Sequence, residues 1–219
     1  MMKILKVTMF NLASLEGKQV IDFESSPLKD ADLFSIVGET GSGKSTILDA
    51  ICLALYGLAP RFYGADNFDY YNAGKPDNNK VLDPDDPRNI LRKGTKECFS
   101  EVYFQATDGC RYRALWACSI ARTNYSKPER RLFRIEGTDD GAVREKELDI
   151  TGGSRMKRGH KNVNNEKLDE IIGLDYGQFT RTVMLAQNSF ANFVKASDTD
   201  KAVPVSYTHL RAHETAANL

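Results

Sequence analysis

Eight consecutive residues, Gly38-Glu39-Thr40-Gly41-Ser42-Gly43-Lys44-Ser45, place three glycines, an ammonium and a hydroxyl at the spacing G-x-x-x-x-G-K-[ST]. That combination does phosphate chemistry. Glycines let the backbone come close to an anion, and successive N–H groups with the positive end of a following helix converge on it. Lys44 would lie along the β- and γ-phosphates of a nucleoside triphosphate as the catalytic cation. The Ser45 hydroxyl would take one position on Mg²⁺, and Thr46 would close the cradle. A chance glycine turn carrying a lysine would need none of the context that follows.

The flanking elements are those such a loop requires. Leu33-Phe34-Ser35-Ile36-Val37 reads as a short buried strand entering the loop, and Thr46 to Tyr56 reads as a helix that Gly57 ends. Upstream, Lys3 to Phe10 and Lys18 to Phe23 read as a hairpin across the turn Asn11–Gly17. Residues 58–96 are rich in Gly, Pro, Asn and Asp and read as a long connection. Phe99–Ala106 and Arg111–Trp116 flank the turn pair Asp108-Gly109, a second hairpin signal, and Arg131–Glu136 leads through Asp139-Asp140-Gly141 to a returning strand. Asn165 to Ile172, closed by Gly173, reads as a short capped helix, and Ser189–Lys195 as a helix beginning.

Composition narrows the partners. The 219 residues are 41% apolar with a formal net charge of zero, so the chain can bury a core but has no global attraction to nucleic acid. Nucleic-acid contact would fall to local clusters: Arg122, Lys127, Arg130, Arg131 and Arg134, or Arg155, Lys157, Arg158 and Lys161. No run of roughly 18 apolar residues is present, which leaves no membrane partner to expect. Four cysteines without C-x-x-C spacing read as free thiols of a reducing cytoplasm. The histidine pair His209 and His213 has no evident third ligand and is not read as a metal site. Residues 203–219 break style with the rest and read as a non-native or disordered tail behind a lobe spanning 1–202.

Four stretches carry a family resemblance: Met2–Lys6 with Asn11–Leu15; Gly38 to Gly57; Ile90–Thr95; and Gly173–Arg181 continued through Leu185-Ala186-Gln187 and Phe190. Together they resemble the N-terminal ATPase lobe of the SbcC family, the SMC-like, ABC-type ATPase subunits of SbcCD DNA exonucleases. The resemblance implies an α/β P-loop NTPase fold of ABC/SMC type, with an antiparallel β subdomain beside a P-loop sheet and helix. It implies ATP and Mg²⁺ as ligands, and a Q-loop role for Gln187, which would touch Mg²⁺ or the attacking water and report the γ-phosphate. Asn188 stands where most members have glycine. Residues Asn11 to Ser14 would lie near the base or phosphates.

Further implications concern the whole assembly. They are DNA as substrate, an SbcD-like metallophosphoesterase as nuclease partner, a homodimer of heads sandwiching ATP, and a cytoplasmic, nucleoid-associated location. The family's Walker B carboxylates and signature motif follow a long coiled coil, and neither motif is found in this sequence. Thr151-Gly152-Gly153-Ser154 lies on the wrong side of Gln187 to be the signature. The chain is therefore expected to be truncated before the coiled coil and catalytically incomplete alone. Alternatives are a RecF- or RecN-type repair ATPase without a nuclease partner, a non-catalytic nucleotide-binding scaffold, and a small P-loop kinase using Arg61, Arg88 or Arg92 as lid arginines.

Overall fold

The computed structural model describes residues 2–29, 35–62, 82–84, 86–137, 143–150 and 166–182. Its frame is an antiparallel sheet of seven strands among the described residues: β1 (Lys3–Phe10), β2 (Lys18–Asp22), β3 (Glu97–Gln105), β4 (Arg111–Ala121), β5 (Asn124–Tyr125), β6 (Glu129–Gly137) and β7 (Val143–Leu148). The order is β2-β1-β3-β4-β6-β7, with β5 paired to β4 off this path. Strict alternation decides which face turns inward. In β3, Cys98, Ser100, Val102 and Phe104 are buried; in β4, their partners Cys118, Trp116, Ala114 and Tyr112 are buried too. The β3–β4 turn is the expected one. Gly109 takes φ 80°, and the Asp108 carboxylate accepts from the Cys110 amide at 2.8 Å.

Helix α1 (Lys44–Tyr56) lies on that inward face, against β1, β3 and β4. From Asp49 to Tyr56 every residue is buried, so this helix is core on all sides rather than a surface helix with one apolar stripe. Small residues let it sit close. Ala50 is fully buried, and the Ser100 hydroxyl beneath donates to its carbonyl at 2.6 Å, tying helix to sheet. The helix ends as the sequence signals: Gly57 takes φ 72° and its N–H reaches the Leu53 carbonyl at 2.8 Å. Arg130 of β6 then donates to the Leu55 carbonyl at 3.1 Å, a cation at the negative helix end.

Two short helices pack on the same end of α1. In α2 (Glu166–Ile172) Leu168 and Ile172 are buried, and in α3 (Tyr176–Thr182) Tyr176 and Phe179 are buried. Helix α3 opens on a reciprocal cap. Asp175 accepts from the Gln178 amide at 2.8 Å, while Gln178 Oε1 accepts from the Asp175 amide at 3.1 Å.

One expected element differs. Of the strand expected over Leu33–Val37, Leu33 and Phe34 lie outside the described residues; Ser35–Val37 forms no strand, and Val37 is 87% exposed instead of buried. A strand needs a neighbour to take its backbone groups, and among the described residues none pairs with this segment. Residues 63–81, 151–165 and 183–219 lie outside the described set, and with them Gln187, the basic cluster from Arg155 to Lys161, the 189–195 helix and the tail.

Candidate nucleotide-binding site

The loop predicted to hold phosphate is a tight turn seated on the start of α1. Ser42 donates its amide to the Glu39 carbonyl at 3.2 Å, and Gly41 and Gly43 take φ of 86° and 97°. Glycine is required at Gly43 for a second reason: a Cβ there would fall 2.6 Å from Leu15 Cδ2. At Gly38 it would fall 2.9 Å from Ser42 Oγ. Lys44 Nζ arches back over the turn and donates to the carbonyls of Gly38 and Glu39, each at 2.6 Å. The ammonium is thereby held on the loop side of the helix.

A hollow of about 300 Å³ opens beside this turn, lined by Thr40, Gly41, Gly43, Lys44, Ser45 and Thr46 from the loop and helix start. Ala13 and Ser14 of the β1–β2 turn form a second wall. That turn is held from three sides. Asn11 Oδ1 accepts from the Gly17 amide at 2.9 Å, its Nδ2 reaches the Glu97 carbonyl at 3.3 Å, and Arg92 donates to the Ser14 carbonyl at 2.9 Å. Asn11 is thus a bracket within the turn, and Ser14 is the polar side chain it presents near the loop. The Ile90–Thr95 stretch, singled out as a sequence landmark, supplies the brace through Arg92.

A third wall comes from Arg61, beyond the end of α1. Its Nε meets Asp49 Oδ2 at 2.5 Å, its backbone amide meets Asp49 Oδ1 at 3.0 Å, and its Nη2 meets Thr46 Oγ1 at 2.9 Å. Asp49 is 1% exposed. Burial raises its pKa above the ordinary carboxylate range, and the Arg61 guanidinium works against that rise. The neighbouring Cys52 thiol is pushed well up by burial and by the Asp49 charge, so it is no nucleophile.

The residues expected to contact ligand divide cleanly. Gly38 to Thr46 form one contiguous turn and helix start, of which Thr40, Gly41, Gly43, Lys44, Ser45 and Thr46 line the hollow while Gly38, Glu39 and Ser42 are not among its lining; Gln187 lies outside the described residues. Of the three arginines considered for a kinase lid, Arg88 is buried against Asp86 and Arg92 braces the β1–β2 turn. Only Arg61 lines the hollow. The first basic cluster is largely engaged elsewhere. Arg130 caps α1, Arg131 pairs with Glu147 at 2.7 Å, and Arg134 contacts Cys110 and Glu136. All four cysteines are free thiols.

An AAA domain family profile matches residues 6–216. The chain belongs to this AAA domain family. Among curated proteins, this AAA domain is 41% identical over 203 residues to the SbcC component of the SbcCD nuclease of Pseudomonas aeruginosa, covering 91% of this chain and 15% of that protein. It is 36% identical over 203 residues to the SbcC component of the SbcCD nuclease of Rhodobacter capsulatus, covering 92% of this chain and 15% of that one. The chain thus spans about 15% of the length of these relatives, and the resemblance to SbcC-type ATPases holds along most of it. A solved structure of the recombination mediator protein RecF with ATP overlaps with a TM-score of 0.38 and 14% identity, covering 69% of this chain and 29% of that one. An overlap so loose carries no argument. No helix among the described residues is long and apolar enough to cross a membrane.

Proposed function

We propose that this chain is the ATP-binding part of an SbcC-like DNA-repair ATPase, and that Gly38 to Thr46 hold the phosphates of ATP. The observation that carries this reading is the loop itself: two left-handed glycines, an ammonium arched over the turn and a helix N-terminus border one hollow. The donor set suits a polyphosphate. Backbone amides of a tight turn, Lys44 Nζ and the hydroxyls of Ser45 and Thr46 are all there, and the glycines leave the backbone open to close approach.

Lys44 would lie along the outer phosphates and offset their charge. Ser45, at the first turn of α1, would offer its hydroxyl to Mg²⁺, whose chemistry is to draw charge from the phosphate oxygens. Gln187, expected from the resemblance, would sense the terminal phosphate. Acidic residues of a longer protein would complete hydrolysis, which is mostly positioning and charge neutralisation. In that longer protein, two heads would close on shared nucleotide and couple closure to DNA-end processing by an SbcD-like nuclease partner in the cytoplasm. The names of the two relatives support the nuclease partner.

Phosphate-release and acceptor-transfer assays on the 219-residue chain test this reading. The expected result is no turnover above background. Mg²⁺-dependent hydrolysis abolished by Lys44→Ala would overturn the reading that the chain is catalytically incomplete alone, and phosphate transfer to a small acceptor would replace it with the kinase.

A further inference from the structure

The hollow has a second cation whose role the loop pattern does not assign. Arg61 reaches it from outside the motif, 17 residues after Lys44. Its guanidinium is anchored along one edge: Nε on the buried Asp49 carboxylate and Nη2 on Thr46 Oγ1. Both anchors stand on α1 three residues apart, hence on one face of the helix. The backbone amide of Arg61 also bonds Asp49, so main chain and side chain are pinned by the same carboxylate. Nη1 has no hydrogen-bond partner among the described residues, and the Arg61 side chain is 31% exposed.

Two physical consequences follow. A buried Asp49 anion one turn below Ser45 would repel a phosphate chain, and the Arg61 charge screens it. An arginine held by two bonds has also surrendered most of its rotamer freedom before any ligand arrives, so a further bond from Nη1 costs little ordering.

We propose that Arg61 is a phosphate ligand of this site, donating from Nη1 to a phosphate oxygen of the nucleotide while Asp49 and Thr46 hold it in place. The proposal rests on the nucleotide-binding reading above and deepens it. Arg61 acts on the polyphosphate, not on the nucleoside. Because its anchors lie on α1, it also ties the start of the 58–96 connection to the bound phosphates.

The test uses the 219-residue chain, a fluorescent ATP analogue with Mg²⁺, and competition by ATP and by inorganic tripolyphosphate, with unliganded melting curves run in parallel. Arg61→Ala is expected to weaken ATP and tripolyphosphate alike by roughly 10- to 100-fold, the range for a charge-assisted hydrogen bond. Arg61→Lys keeps the charge without the two-point anchor and is expected to recover part of that loss. A lower melting temperature with unchanged affinity for both competitors would make Arg61 a structural clamp and overturn the proposal. Loss confined to ATP would place the contact on the nucleoside and overturn it as well. Should Arg61→Ala fail to fold, Arg61→Gln keeps a polar side chain beside Asp49 and Thr46 while removing Nη1 and the charge. It is expected to weaken both competitors several-fold, and no change there counts against the proposal. If the unaltered chain binds neither competitor, the nucleotide-binding reading itself falls and takes this one with it.

Discussion

The Tyr56 hydroxyl donates to the Leu174 carbonyl at 3.1 Å, joining the last turn of the phosphate-loop helix to a segment 118 residues away. The same ring meets Tyr176 edge-on with centroids 5.7 Å apart and Phe179 at 5.4 Å. Tyr56 therefore links α1 to the segment carrying the short helices that precede Gln187 in sequence. Tyr56→Phe is expected to cost about 1 kcal/mol, the net worth of one hydrogen bond. Tyr56→Ala should cost about 3–5 kcal/mol through lost packing. Urea unfolding of the two variants separates these contributions.

Gly57 is the second joint of that region. It sits at φ 72°, and a Cβ there would lie 2.9 Å from Arg130 Cδ. Gly57→Ala should therefore incur roughly 1–2 kcal/mol of left-handed backbone strain and displace the guanidinium from the Leu55 carbonyl. Gly109→Ala, at φ 80° in open space, should show the backbone cost alone. Thermal unfolding is expected to rank Gly57→Ala as the more damaging; equal losses would show that Arg130 moves aside freely.

The outer face of the sheet contrasts a sheltered ion cluster with an exposed one. Arg113 pairs with Glu101 at 2.8 Å and with Glu145, and stacks 4.0 Å above the Phe133 ring. Arg131 makes the same kinds of contact to Glu147 and Phe133 in a more open position. Arg113→Ala strands two carboxylates beside each other and is expected to cost about 2 kcal/mol. Arg131→Ala should cost less, because solvent screens an exposed pair. Denaturant titrations at low and high salt check the order, and salt should shrink the Arg131 effect more.

The β3–β4 turn gives a pH signature with two limbs. Burial would raise the Asp108 pKa, but bonds from the Cys110 amide and the Tyr112 hydroxyl outweigh it and leave it lowered. Its contribution is present above the ordinary aspartate value of about 3.9 and is lost as pH falls below that. Tyr112 is pushed up to about 12 by burial and by Asp108. Its contribution is present below the ordinary tyrosine value of about 10 and fades as pH rises toward about 12. Asp108→Asn is expected to abolish the acid limb of a stability–pH curve and to shrink the alkaline one, which the burial of Tyr112 keeps in part; an unchanged curve would show the turn is not titrating.

Much of this architecture is legible in the chain because it is local. The alternation in Phe99–Ala106 and Arg111–Trp116 with Asp108-Gly109 between them specifies a hairpin, and the loop pattern with Gly57 specifies α1. The capping pair Asp175 and Gln178, three residues apart, carries a signal for α3, but seven residues are too few to show a helical period beside it. Two other features could not be read that way. The described part of an expected strand, Ser35–Val37, says strand only if a neighbour exists to pair with it, and neighbours are long-range. Arg61 reads in the sequence only as one of three candidate lid arginines, until folding brings it back to Asp49, whose burial demands a counter-charge.

Calorimetric titration of ATP with Mg²⁺ into the 219-residue chain, beside Lys44→Ala, is the most direct test of the phosphate-loop assignment. Saturable one-to-one binding by the native chain, reduced at least tenfold in the variant (about 1.4 kcal/mol), is the expected result. Binding of equal strength in both chains, or heat from neither, would contradict it.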